Sequence, residues 1–145
     1  MIACCVLVIH MGTHRYERSG GVVFENEVQL AWEVCRLNEG DEHTPKLIYK
    51  KYVFSLADAS ALKSDVQIWL GDQLPEGWTR RFHPKSLLGK YCNLELKRLA
   101  HSATDAEQVW EVHPLPSDVD PSTLPKPNTP NGLFLASDPD MELLR

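Results

Sequence analysis

The sequence predicts a mainly β domain in which five strands form a small barrel beside a single helix. Three observations predict it. Residues 46–56, KLIYKKYVFSL, are rich in the β-branched and aromatic types that suit a pleated surface. A helical pattern follows at once: Leu62, Val66, Trp69 and Leu70 share one face, Asp58 is the candidate N-cap and Gly71 the stop. Two strand-like runs precede this join and two follow it. One helix between the third and fourth of five strands is the order of a five-stranded oligonucleotide/oligosaccharide-binding (OB) Greek-key barrel. An extended Pro-rich C-terminal arm is appended to it.

The first strand covers residues 2–11, with Ala3, Cys5, Leu7 and Ile9 on one face and Cys4, Val6, Val8 and His10 on the other. Both faces are apolar, as in a strand covered on both sides. Residues 12–21, GTHRYERSGG, read as an exposed, partly basic turn. The second strand covers 22–35, with a bulge expected near Glu25 and Asn26. There Val28, Leu30, Trp32 and Val34 alternate with Glu27, Gln29, Ala31 and Glu33. An acidic loop, 36–44, leads into the strand–helix join. After the helix, 72–84 reads as an irregular connection carrying Arg80 and Arg81, and 84–88 as a single helical turn. The fourth strand is 90–99, with Cys92, Leu94 and Leu96 inward; a polar loop, 100–107, leads to the fifth strand, 109–112.

From Pro114 the composition changes. Seven of the ten prolines lie there, which excludes a regular core element and predicts an extended arm. Residues 1–113 are therefore read as the OB domain and 114–145 as a Pro-rich acidic arm. The arm has a net charge of -3 of the chain's -5. Its short apolar run at 132–135 is suited to docking on the body or on a partner.

The 145 residues suit one domain, with enough apolar residues for a core. The negative net charge excludes bulk electrostatic attraction to nucleic acid, though not a local basic groove. The four cysteines, Cys4, Cys5, Cys35 and Cys92, form no Cys-x-x-Cys pair and read as reduced core residues. No run is long enough to span a bilayer. Residues 2–9 lack the flanks of a signal peptide, so a cytoplasmic location follows by default.

Several catalytic and metal motifs fail. Gly89–Lys90 has the end of a phosphate-binding loop, but Pro84 and Tyr91 stand where Gly and Ser or Thr are needed. His10 and His14 have the spacing of a helical zinc pair but straddle a strand and a turn. No Gly-x-Ser-x-Gly occurs. The sequence thus predicts no enzyme, no cofactor and no metal site.

Taken together, the runs VLVIHMGTH, VQLAWEV, KYVFSLADASALKSDVQIWLG, SLLGKYCNLEL and VHPLP, with a proline-rich arm reaching SDPD, resemble a family of small tailed-phage proteins. Those proteins are similar to single-stranded-DNA-binding OB domains. Two features depart from the pattern. The family's lead-in turn before the first strand is missing, and MELLR is not the acidic, aromatic tip by which bacterial single-strand-binding proteins recruit partners. The resemblance implies a viral protein acting in the host cytoplasm, an accessory in DNA replication or recombination that coats single strands.

Such binding needs cations interleaved with aromatic faces for bases to stack on. The candidates are Arg15 and Tyr16 in the first turn; Tyr49 and Lys51 on the third strand; Arg80 and Arg81 in the connection; and Lys90, Tyr91 and Lys97 at the fourth strand. Period two puts Tyr49 and Lys51 on one face of the third strand and Lys50, Tyr52 and Phe54 on the other; the second set reads as core. The partner expected is single-stranded DNA, with replication or recombination proteins recruited through the arm, and a homodimer is allowed. The rival reading is an OB-shaped protein-interaction module without DNA binding, such as an inhibitor of a host defence complex. A structural part of a phage particle is a third.

Overall fold

A computed structural model describes residues 1–35, 46–98, 107–135 and 143–144. The acidic loop at 36–44 and most of the polar loop before the fifth strand lie outside them. The described chain is mainly β, with one sheet and one α-helix.

Strand β1 (Ile2–Arg18) pairs antiparallel with β2 (Gly21–Val34), and β2 with β3 (Leu47–Val53). On the other side, Ile2, Ala3 and Cys4 pair with β4 (Tyr91–Arg98), which pairs with β5 (Glu107–His113). The order is β3-β2-β1-β4-β5. Its two ends, β3 and β5, come within 8 Å of each other, Cα to Cα, but no ladder joins them among the described residues, so the sheet is open.

The first turn is shorter than the sequence suggests. Both strands continue through residues 12–21, from Gly12 opposite Glu27 to Arg18 opposite Gly21. Gly12 is not the turn residue it resembles. The β1–β2 ladder skips Val6 and again Met11, and Gly12 absorbs the second bulge with φ of +77°. Across Glu25 and Asn26, where the bulge was expected, the register is unbroken. The skip at Val6 also reverses the face assignment of β1: Ala3 and Cys5 enter the main core, but Val8 rather than Leu7 joins them. One extra residue exchanges every following side chain between faces.

Helix α1 (Ala61–Leu70) buries the four residues that periodicity selects, Leu62, Val66, Trp69 and Leu70. Ser60, not Asp58, is its N-cap: Ser60 Oγ accepts from the Lys63 amide at 3.2 Å, while Asp58 pairs with the Lys63 ammonium. Gly71 ends the helix, its amide bonded to Gln67 O. The helix packs on β3 and β5, and Asp65 fastens it to β3 by accepting from Tyr52 Oη at 2.6 Å and Lys50 Nζ at 2.7 Å. The core centres on Trp32 and Trp69, whose rings are 6.2 Å apart, with Leu30, Leu94 and Val112 around them.

The Pro-rich segment does contribute a regular element, contrary to the composition. Strand β6 (Gly132–Leu135) adds parallel to β1 along Leu7–His10, beyond the point where β4 leaves it, and Leu133 packs on the core. The two residues of β7 (Leu143–Leu144) pair with β6. The approach to β6 is clasped by Glu33, which is 7% exposed. Its carboxylate accepts from the amides of Asn128 at 2.7 Å and Thr129 at 2.9 Å, and from Thr129 Oγ1 at 2.6 Å. Tyr91 Oη donates to Pro125 O at 3.1 Å. The dock-on-body alternative for residues 132–135 is the one seen.

Candidate functional site

The connection between α1 and β4 folds into a chain of short 3-10 turns at 71–73, 78–80 and 84–87. Each is anchored by apolar residues. Leu74, Trp78, Phe82 and Leu88 pack against the core, and Leu87 is fully buried. The polar residues between them are consequently turned outward. His83 caps the last turn, its Nδ1 accepting from the Lys85 amide at 3.0 Å. Gly89 has φ of +82°, a backbone conformation that L side chains rarely adopt, which favours glycine where the connection enters β4.

Between this connection and the arm lies a groove of about 1270 Å³. Arg80, Arg81, Lys85 and Lys90 line it, against one carboxylate among the described residues, Glu76. Trp78 and Phe82 form an edge-on aromatic pair 5.2 Å apart, and both reach the groove. His83 stands in the wall, its ring 5.6 Å from His10, which in turn lies 6.1 Å from Phe54. Burial lowers the pKa of both histidines, and each has a cationic or imidazole neighbour, Lys85 for His83 and His83 for His10, that lowers it further. Asn131, Gly132 and Leu133 of the arm complete the opposite wall. A smaller groove, about 590 Å³, continues past Gln73 and Lys90 to Tyr91 and the arm residues 114–122.

Three of the nine sequence candidates, Arg80, Arg81 and Lys90, meet in the large groove. Tyr91 lines the smaller one, its hydroxyl engaged by the arm. A second group lies on the β1–β2–β3 face. There Tyr16 and Lys51 converge on Glu27, a carboxylate only 4% exposed. Tyr16 Oη donates to Glu27 Oε1, Lys51 Nζ is 3.3 Å from Oε2, and His14 Nε2 is 4.0 Å from Oε1. The hydrogen bond from Tyr16 and the charge of Lys51 hold Glu27 below its ordinary value, and the same contacts push Tyr16 and Lys51 up. Arg15 pairs with Glu17 at 3.2 Å, and Arg18 with Glu25 at 2.6 Å while standing over the Tyr16 ring. The cations of this hairpin are therefore matched by its own acids.

Tyr49 is exposed on the outer face, and Tyr52 is buried, as period two requires. Lys97 stands exposed on β4 opposite Gln108, apart from both groups. Lys85 stands out in the sequence by charge beside Arg80 and Arg81, but sequence reasoning passed over Trp78, Phe82 and His83 as site residues because they sit in a connection with no periodicity. Their signal was density: six cationic, imidazole or aromatic side chains within residues 78–85, WTRRFHPK. It also passed over Glu95, Glu111 and His113, which approach one another on the β4–β5 ribbon.

No family model, curated protein or solved structure matches this chain. No helix among the described residues is long and apolar enough to cross a membrane.

Proposed function

We propose that this chain is a single-stranded-DNA-binding protein of the phage type, an accessory in replication or recombination that holds its ligand by electrostatics and stacking. One observation carries the reading. A protein of net charge -5 gathers four cations and two aromatic rings in one groove, with one opposing carboxylate among the described residues. Phosphates need the first and unpaired bases the second. Such charge segregation offers a local attraction that the whole chain does not.

The finer fold belongs to the same proposal. The strand order β3-β2-β1-β4-β5, the helix between β3 and β4, and the close approach of β3 to β5 support an OB-type Greek-key barrel. The arm then acts as a wall of the binding groove as well as a recruiting segment.

Titration of a labelled oligo-dT tests the function. At low salt the oligomer should bind saturably, and a duplex of the same length more weakly, because its bases are not free to stack. Affinity should fall linearly on a log–log plot against salt. Absence of binding at tens of micromolar protein would sink the reading.

The protein-interaction alternative has its own observation. Val22, Val23 and Phe24, the last 67% exposed, stand at the β1–β2 hairpin, an apolar cluster that a nucleic acid does not require. Pull-down from a host lysate with and without nuclease separates the two. Partners that persist after nuclease favour the alternative; partners that vanish favour DNA.

A further inference from the structure

We propose that Glu95, Glu111 and His113 form a binding site for a divalent transition-metal ion of the zinc class. The β4–β5 ladder assembles the three side chains. Glu111 and His113 are two residues apart on β5 and so share a face, and Glu95 is the direct register partner of Glu111 on β4. The ladder skips Trp110 beside Glu111, a bulge of the kind that re-aims neighbouring side chains. One ligand atom from each of the three residues lies within 4.8 Å of the others.

The spacing fits the ion. His113 Nε2 is 3.0 Å from Glu111 Oε2 and 3.3 Å from Glu95 Oε2. Tetrahedral zinc with bonds of about 2.0–2.1 Å keeps its donors about 3.3–3.4 Å apart. An ion could therefore enter by side-chain adjustment alone. Two carboxylates directly opposite on neighbouring strands repel, and a cation between them offsets that. A divalent ion neutralises both, and the imidazole nitrogen favours zinc, nickel or copper over magnesium and calcium, which prefer oxygen. The half-exposed ligands leave remaining positions to water. Cys4, Cys5 and Cys92 are buried and stand apart from this donor set.

The test uses the full chain, free of any affinity tag and stripped with EDTA. Calorimetric titration with ZnCl2 should show saturable binding of one ion per chain and a raised melting temperature, with no such response to MgCl2. Co2+ in place of Zn2+ should give visible d–d absorption without a thiolate charge-transfer band. His113→Ala should weaken Zn2+ binding by more than about tenfold, since it removes the only nitrogen donor. Glu95→Gln and Glu111→Gln should each weaken it while leaving the far-UV spectrum unchanged. The proposal is overturned by the absence of saturable Zn2+ binding, by unchanged binding in His113→Ala, or by a thiolate band that puts the ion on cysteine.

Discussion

At Glu27 a carboxylate is kept ionised inside the hairpin by the Tyr16 hydroxyl and the Lys51 ammonium, and this has a pH signature. A carboxyl whose folded pKa is depressed adds stability above its ordinary value, here 4.5, and loses it as the pH falls through the folded value. Glu27→Gln should flatten the acid limb of a denaturant-midpoint profile; an unchanged limb would contradict the assignment. His83 and His10 act at higher pH. Their folded pKa values are lowered, so the unfolded chain binds protons first. Their contribution is complete above the ordinary value of 6.5 and erodes as the pH falls below it. His83→Asn, which keeps an acceptor for the Lys85 amide but cannot titrate, should reduce that slope. The thiols offer a third check. Burial pushes Cys4 up to about 12 and raises Cys5 and Cys92 as well. Iodoacetamide at pH 8 should therefore leave these three unmodified in the native protein and label them on unfolding.

At the scale of elements, what the sequence revealed depended on whether one element sufficed to read it. Helix α1 was legible because Leu62, Val66, Trp69 and Leu70 repeat at 3.6 and Gly71 stops them, all within one segment. The bulges at Val6 and Met11 were not, since a bulge is a property of two strands in register. The arm's strand β6 was hidden for the same reason: Leu133 finds its place only beside Val8, over a hundred residues earlier. The clasp by Glu33 makes β6 testable. In Glu33→Ala the amides of Asn128 and Thr129 lose their acceptor, and their hydrogen exchange should accelerate towards that of open chain; retained protection would show that other contacts hold the arm. The tryptophan pair gives a second comparison. Trp69 Nε1 donates to Tyr91 O at 2.8 Å, whereas the fully buried Trp32 Nε1 has no partner among the described residues. An orphaned buried donor costs about 1–3 kcal/mol. Trp32→Phe sheds that cost along with its packing, so it should destabilise less than Trp69→Phe, which strands the Tyr91 carbonyl. Urea denaturation of the two variants decides it.

For the whole molecule, the organising fact is where the charge lies. The hairpin cations Arg15 and Arg18 are paired with Glu17 and Glu25, so the tip that looked basic in the sequence is balanced in space. Residues 78–83 read as an irregular connection and 84–88 as a single helical turn, which the structure shows at 84–87; together with Lys90 they build the groove. Arg80, Arg81 and Lys90 could be picked from the sequence by type. That they would share a wall with Asn131 and Leu133 could not, because only the closed fold brings the arm to the connection. Removal of the chain after Pro116 should consequently cost both stability, by baring the β1 edge and the Leu133 contact, and affinity, by opening the groove.

The most direct measurement is the affinity of labelled oligo-dT, by fluorescence anisotropy at low salt, for the full chain and for the chain carrying Arg80→Glu and Arg81→Glu. Both side chains are exposed, so the variant should keep its far-UV spectrum and melting temperature. The account predicts saturable binding by the unaltered chain and its near-complete loss in the variant, with Arg15→Glu in the balanced hairpin having little effect. Equal binding by the groove variant, or loss confined to the hairpin variant, would contradict it.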